Sequence, residues 1–368
     1  MSAQTFRVAV MGAPHAPITI AERPRPEMAP AGALLRTLYS EVCGTDVHLW
    51  HGRLGGVPYP IVPGHVSVGY LAEAGRDFRA YDGARIADGA LVAFYDVHRT
   101  CGHCEACAVT HTPTRCPSRR VYGITDGLDD GLFGGWAEAI YLEPGVVAAP
   151  LPPGVSAEAY IGGGCGLVTA VHAVERATVR LTDTVVVQGV GAVGLSCIAL
   201  AKLSGASTVI AIGAPDARLA LARRMGADVV LALEATDVEE RRARVLDATR
   251  GRGADVAIEA AGSPRAIEEA FGLLRDGATY VIAGHYTDVG PSAVSGHRDV
   301  NRKHLDIRGC WGSQAGHFVR ALRILEQHAS RIPWDAIGER TFGLDEMNEA
   351  LDAAAGMRVI KGLVAPNR

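Results

Sequence analysis

The chain has 368 residues, a length that favours two domains, and 48% of them are hydrophobic, enough to form both cores. The formal net charge of −4 is spread over mixed signs without a long run of Lys or Arg, which argues against nucleic acid and anionic membranes as partners. The N-terminus lacks a secretory pattern and no stretch is apolar for long enough to span a membrane, so we expect a cytoplasmic protein with reduced cysteines.

The first part of the chain, residues 1–158, contains short apolar runs broken by Pro and Gly, which predicts a β-rich domain with irregular loops. Two candidate metal ligands lie in it, Cys43 in the run EVCGTDVH and His65 in VPGHVSVGY, and Cys165 follows in GGGCGLVTA. Each of them alone is more often a packed core residue. A catalytic zinc needs three protein ligands and one open position, which these three residues would provide together.

A cysteine-rich segment, about residues 98–118, carries a second candidate site. Cys101, Cys104 and Cys107 form a C-x2-C-x2-C run, and Cys116 follows after eight intervening residues. Four thiolates so close in sequence can enclose a tetrahedral zinc ion and leave no open position, which is typical of a structural site. An iron–sulfur cluster and a set of redox thiols remain alternatives for this spacing.

The second part, residues 159–302, alternates short β-branched runs with helical patterns, which is typical of an α/β fold with a doubly wound parallel sheet. The predicted strands are TVVVQG, STVIAIG, DVAIEAA and TYVIAG. Residues 303–368 contain one clear helix and end in RVIKGLVA, a predicted strand that returns the chain to the first domain.

A glycine-rich loop, GVGAVG, follows the first of these strands and leads directly into a helical pattern. Gly189 would make the tight turn, Gly191 would let the backbone approach a pyrophosphate, and Gly194 would let the helix pack on the strand. Ala192 and Val193 complete the loop at the predicted helix N-terminus. Such a motif is weak alone, but the strand before it and the helix after it indicate dinucleotide binding.

The choice between NAD and NADP depends on the end of the next strand. An Asp or Glu there usually binds the ribose 2′-hydroxyl of NAD, but this chain has Gly213. Without that carboxylate, the negative charge that repels a 2′-phosphate is missing. Arg218 is a candidate partner for the phosphate, so NADP is slightly favoured. Asp216 would favour NAD if its side chain turned inward.

Together these motifs resemble the medium-chain zinc-dependent alcohol dehydrogenases, a family that includes sorbitol and threonine dehydrogenases. The resemblance covers nearly the whole chain and rests on CGTDVH from Cys43, on His65 after a glycine, on the four-cysteine segment, on Cys165 between glycines, and on the GVGAVG loop. It implies a GroES-like catalytic domain and a Rossmann cofactor domain. It also implies two Zn2+ ions per chain, NAD(P), a small alcohol or carbonyl substrate, and a homodimer or homotetramer.

The resemblance also implies roles for single residues. The three scattered ligands would hold the catalytic zinc and the four cysteines the structural zinc. Asp46 would orient His65, Thr45 would accept the alcohol proton, and His48 would pass it to solvent through the cofactor ribose. Arg358 stands where the family often has a basic residue near the cofactor pyrophosphate.

The sequence departs from the family at three positions. Val66 stands where a glutamate usually follows the ligand histidine, so either ligand exchange at the metal is altered or Glu41 or another residue compensates for that carboxylate. The segment before Cys116 is one residue longer, and Gly213 replaces the acidic ribose residue. Two alternatives remain: a quinone or enoyl reductase of the same superfamily, which generally lacks zinc ligands, and a catalytically silent nucleotide-binding protein.

Overall fold

The computed structural model describes residues 4–368, which form two compact units. The first unit contains the described residues up to Gly164 together with Gln314–Ala329 and Trp334–Arg368. The second unit contains Cys165–Ser313 and Ser330–Pro333. This division into two units does not test the domain boundaries predicted from the sequence, which stay a prediction.

The strands, in chain order, are β1 Thr5–Met11, β2 Ile18–Pro24, β3 Ala33–Val42, β4 Ser67–Ala74, β5 Leu91–Phe94, β6 Val97–Arg99, β7 Arg120–Val121, β8 Ala139–Leu142, β9 Ala148–Pro150, β10 Thr184–Gln188, β11 Thr208–Gly213, β12 Val229–Ala232, β13 Ala254–Glu259, β14 Leu274–Ile282, β15 Asp306–Gly309, β16 Gly338–Phe342 and β17 Lys361–Val364.

The α-helices are α1 Gly44–Trp50, α2 Ala157–Ala177, α3 Ala192–Leu203, α4 Asp216–Arg224, α5 Val238–Ala248, α6 Pro264–Leu273, α7 Ala315–His328 and α8 Met347–Ala355. None of these described helices is long and apolar enough to cross a membrane.

The first unit is built on a seven-stranded sheet in the order β16-β17-β3-β4-β5-β9, with β8 also paired to β3. Apolar side chains of β3, β4, β5 and β8 form a core with Phe78, Tyr122 and Val146. The last strand, β17, lies antiparallel to β3, and Gly362 pairs with Val42 at its end. This pairing brings the end of the chain beside the segment that leads into Cys43.

The second unit contains six parallel strands in the order β12-β11-β10-β13-β14-β15. Strand order reverses beside β10, so the loops after β10 and β13 meet at the carboxyl edge of the sheet. The core contains side chains from the central strands and from α6, including Val186, Ile210, Ala257 and Phe271. The predicted α/β fold with a doubly wound parallel sheet and a separate β-rich part is confirmed.

Strand β12 of this sheet was not predicted from the sequence, whereas β15 lies in the run DIRGCWGS, which the sequence indicates as a strand. The two strands lie at the edges of the sheet. Their side chains are largely half-buried or exposed, with one buried residue in β12 and none in β15. An edge strand therefore lacks the continuous apolar run by which a central parallel strand is found.

The start of α5 allows a test of local stability in the second unit. The Asp237 side chain accepts a hydrogen bond from the Glu240 N–H at 2.8 Å, and Glu240 Oε2 accepts one from the Asp237 N–H at 2.9 Å. We expect Asp237→Ala to lower the free energy of unfolding by about 1 kcal/mol, because the side-chain cap of the helix is lost. Denaturant unfolding measures the change, with Glu234→Ala before the helix as control. Equal stability of both variants would contradict the assignment.

Candidate functional site

Four possible metal donors converge beside the β3–α1 turn. Glu41, Cys43, His65 and Cys165 each offer one ligand atom, and these atoms all lie within 4.8 Å of one another. Glu41 lies near the end of β3, Cys43 directly precedes α1, and His65 lies just before β4. Two thiols, an imidazole and a carboxylate form a donor set that zinc accepts. The structure thus brings the three predicted catalytic ligands together and adds Glu41.

Cys165 reaches this cluster through a break in α2. Gly164 has φ of +42° and ψ of −138°, so two helical segments meet there at a kink. Cys165 is bonded directly to Gly164, the last residue of that stretch of the first unit. A side chain at Gly164 would collide with Glu41 and Lys361, and its φ favours glycine.

Val66 leaves no carboxylate after the ligand histidine, and Glu41 lies in its place near the imidazole. Glu41 Oε1 is 3.3 Å from His65 Nε2, and Glu41 itself is fully buried. Two ligand atoms of a tetrahedral zinc, each at about 2.0–2.1 Å from the metal, lie roughly 3.3 Å apart. The observed spacing therefore fits two donors to one ion.

Helix α1 carries the three residues predicted to assist the reaction. Asp46 is fully buried, and its Oδ2 accepts a hydrogen bond from the Cys43 N–H at 2.9 Å. Burial raises the pKa of Asp46 to about 6, while the charge of a protonated His65 opposes the rise. Thr45 and His48 are half-buried and three residues apart, which places them on one helix face. Burial also lowers the pKa of His48.

The second cluster is formed by the four cysteines between β6 and β7. The ligand atoms of Cys101, Cys104, Cys107 and Cys116 all lie within 4.8 Å of one another, so the longer segment before Cys116 does not separate it from the others. The Sγ atoms of Cys101 and Cys116 are 3.6 Å apart. A disulfide needs about 2.05 Å, whereas thiolates at about 2.3 Å from a tetrahedral zinc lie roughly 3.8 Å apart.

Local hydrogen bonds prepare part of this cluster for metal binding. A hydrogen bond from the backbone N–H of His103 to the Cys101 sulfur lowers the pKa of Cys101 to about 6. The thiolate is the form that binds a metal. Burial raises the pKa of Cys107 to about 12. The donor set is four thiols on one short excursion, which fits a closed zinc site.

The glycine-rich loop lies between β10 and α3, as predicted. Gly189 has φ of +110°, and a Cβ there would come within 2.7 Å of the Ala260 carbonyl carbon. A Cβ at Gly191 would meet none of the described non-neighbouring atoms within 4 Å, so the backbone there is open to a ligand. Gly191 is also the N-cap of α3 and provides no side-chain cap, which leaves backbone N–H groups for an anion.

The remaining predicted cofactor residues are spread over both units. Ala192, Val193 and Gly194 form the first turn of α3. Gly213 ends β11, and a Cβ on it would lie 2.5 Å from Val190 Cγ2. Arg218 is half-buried on α4.

Arg358, the last predicted cofactor residue, follows α8 in the first unit. Its Nη2 donates to Asp352 Oδ2 at 2.7 Å, an ion pair between two exposed side chains. Its cofactor role stays a prediction.

Sequence reasoning missed Glu259 at the end of β13. Its side chain is fully buried and accepts hydrogen bonds from the N–H groups of Ala261, Gly262 and Gly284 at 2.7, 2.5 and 3.1 Å. It thereby joins the loops after β13 and β14, next to the glycine-rich loop. The signal in the sequence was a single acidic residue in the apolar run DVAIEAA.

Comparison with known families gives two matches that together cover most of the chain. Residues 29–153 match the family model described as alcohol dehydrogenase GroES-like domain. Residues 192–327 match the model described as zinc-binding dehydrogenase. The first contains the cysteine-rich segment, and the second begins at the N-terminus of α3.

Individual relatives agree with these models. The chain is 32% identical to 5-exo-hydroxycamphor dehydrogenase of Pseudomonas putida over 91% of this chain and 92% of that protein. It resembles the crystal structure of an alcohol dehydrogenase from Thermotoga maritima with a TM-score of 0.94 and 31% identity, over 99% of this chain and 100% of that one. The crystal structure of a zinc-binding dehydrogenase from Sinorhizobium meliloti bound to NADP gives a TM-score of 0.85 at 26% identity, over 99% and 100% of the two chains.

Proposed function

Because the chain belongs to the medium-chain zinc-type alcohol dehydrogenase family, we propose that it transfers a hydride between a small alcohol or polyol, or its carbonyl product, and NAD(P) (EC 1.1.1.-). The observation that carries this proposal is the convergence of Cys43, His65 and Cys165 within one group of donors. Reductases of the superfamily that work without zinc generally lack these three ligands. A silent binding protein would likewise have no reason to bring these donors together.

The catalytic metal site would be held by those three residues and would leave room for the substrate oxygen. A zinc ion bound there would act as a Lewis acid that lowers the pKa of the alcohol hydroxyl. Asp46 would keep the Cys43 backbone in place and orient His65 by its charge. The structural zinc would be held by the four cysteines, so that each chain binds two ions.

Thr45 and His48 would move the alcohol proton. The Thr45 hydroxyl can accept a proton and donate its own, and His48 follows on the same face of α1. Because burial keeps the pKa of His48 below its ordinary value, the imidazole is neutral near pH 7 and can take up the proton. Thr45 is the first acceptor in this scheme, as the resemblance to the family implies.

We propose NADP as the preferred cofactor. A carboxylate that would exclude a 2′-phosphate cannot be accommodated at position 213 without moving Val190, and Arg218 on α4 offers a positive charge. The NADP bound to the Sinorhizobium relative is consistent with this preference.

A pair of variants tests the cofactor choice. We expect Gly213→Asp alone to weaken NADPH binding without improving NADH binding, because its Cβ would displace Val190. In Gly213→Asp with Val190→Ala the carboxylate gains space, and preference should move toward NADH by roughly tenfold, equal to about 1.4 kcal/mol. Fluorescence titration with each reduced cofactor measures both constants, with Val190→Ala as control. A wild-type protein that binds NADH more tightly than NADPH would refute the proposal.

The reaction itself is tested by an alcohol panel that includes a hydroxycamphor and simple polyols, assayed in both directions through the absorbance of the reduced nicotinamide. We expect alcohol-dependent reduction of NADP+ by the zinc-loaded protein. We also propose that the enzyme is cytoplasmic and forms a homodimer or homotetramer. Light scattering of the purified chain decides its oligomeric state.

A further inference from the structure

A fully buried ion pair lies beside the candidate catalytic site. Lys361 Nζ donates to Glu41 Oε2 at 2.5 Å, and both side chains have no exposed surface. Removing two charges from water costs several kcal/mol for each ion, and their attraction often only offsets that cost. The pair is therefore poorly explained as a stabilising device, and a role at the neighbouring site is worth testing.

The ammonium group of Lys361 is also held by two backbone carbonyls. Besides Glu41, its ammonium group donates to the carbonyl oxygens of Ile161 at 3.2 Å and Gly163 at 3.3 Å. These three acceptors use all three donors of the lysine. The two carbonyls belong to the segment of α2 that ends at the Gly164 kink, so the same contact anchors the chain just before Cys165.

This arrangement gives the two carboxylate oxygens of Glu41 different surroundings. Oε2 faces the ammonium group of Lys361, and Oε1 lies 3.3 Å from His65 Nε2. That separation is roughly the distance between two donors of one tetrahedral zinc. The ligand atoms of Cys43 and Cys165 lie within 4.8 Å of the Glu41 donor atom.

We propose that Glu41 is the fourth protein donor of the resting catalytic metal site, through Oε1, and that Lys361 is a positioning residue that holds Oε2. Glu41 would then hold the metal through Oε1 only. When an alcohol enters, the substrate oxygen would take the place of Oε1. This inference rests on the proposed function, because it assumes a metal held by Cys43, His65 and Cys165. Glu41 on β3 would supply the carboxylate that is missing at Val66, and Lys361 on β17 would hold it in place.

The first test uses the wild-type protein with cobalt in place of zinc at this site. A site closed by four protein donors holds no water, so we expect no relaxation enhancement or line broadening of isotopically labelled water by the bound cobalt. Broadening that disappears when substrate is added would show that water holds the fourth position, and the inference would be wrong. Failure to bind any metal at this site would instead refute the proposed function.

Variants test the two residues separately. Glu41→Asp keeps the charge but withdraws the carboxylate by one methylene, and Glu41→Gln with Lys361→Met removes both charges together, so that no lone charge is left buried. We expect both to lower zinc affinity by on the order of 10–100-fold or more in a chelator competition. The matched control is Glu269→Gln with Arg241→Met. These two residues form a buried ion pair of the second unit, with 2.6 Å between Arg241 Nε and Glu269 Oε1.

Lys361→Met alone tests the positioning role. Without the lysine, Oε2 is able to reach the metal, so we expect the metal to be retained and the cobalt ligand-field spectrum to show a higher coordination number. If the Lys361→Met protein has a lower melting temperature but an unchanged cobalt spectrum, Lys361 has only a structural role. Zinc affinities of both Glu41 variants within about twofold of wild type would overturn the proposal for Glu41.

Discussion

Cys43→Ala is expected to remove one of two zinc ions per chain and to lower alcohol oxidation at least about 1000-fold, which corresponds to roughly 4 kcal/mol of lost transition-state stabilisation. Cys43 is buried directly before α1, and its thiol is one of four converging donors. Alanine removes a ligand whose place no neighbouring sulfur of the described cluster can take. The small side chain fits the same backbone, so the fold should survive.

Metal analysis and turnover on the same preparation measure this effect, and circular dichroism confirms the fold. Cys197→Ala is the matched control, because Cys197 is fully buried on α3 and lies in neither donor cluster. We expect the control to keep both zinc ions and its activity. A Cys43→Ala protein with full activity would show that the ligand assignment is wrong.

Cys107→Ser is expected to remove the other zinc ion and to lower stability much more than activity at low temperature. A ligand that binds only the folded state stabilises it by about 4.1 kcal/mol at a thousand times its dissociation constant. For domains of this size, losing that amount lowers the melting temperature by roughly 8–16 °C. Most residues between 100 and 118 are exposed, so little buried apolar surface is there to stabilise this part of the chain without the metal.

Calorimetry with zinc analysis tests this second prediction. Cys310→Ser is the control, because Cys310 is a buried cysteine of the second unit outside both clusters. An unchanged melting temperature in Cys107→Ser, with two zinc ions still bound, would rule out a structural zinc at the four cysteines. Brown colour with acid-labile sulfide in the wild-type protein would favour the iron–sulfur alternative.

The parts of the fold that depend on local sequence could be predicted. The glycine-rich loop was identified because a β-branched strand, three glycines and a helix follow one another within one short segment. The four cysteines were grouped for the same reason. The edge strand β12 was missed, because solvent on one side removes its apolar pattern.

The catalytic cluster depends on contacts that are distant in the chain. Cys43, His65 and Cys165 were associated through a family resemblance, since nothing in their spacing brings them together. Lys361 lies 320 residues from Glu41, and only the pairing of β17 with β3 makes them neighbours. A lysine inside the apolar run RVIKGLVA was the available signal, but a single charge does not name its partner.

Glu41 could be named as a candidate from the sequence but could not be selected from it. The valine after His65 indicated either altered ligand exchange or a carboxylate from elsewhere in the chain, and Glu41 was one candidate for the second. Its selection required the distance to His65 and its complete burial, which are properties of the folded chain.

The central claim is that bound zinc lets this protein oxidise an alcohol with NADP+. The most direct measurement compares the rate of alcohol-dependent NADP+ reduction in one preparation as purified, after zinc removal by a chelator, and after zinc is restored. The account predicts activity that is lost with the metal and recovers when zinc returns. Turnover that continues undiminished in the verified metal-free protein would contradict it.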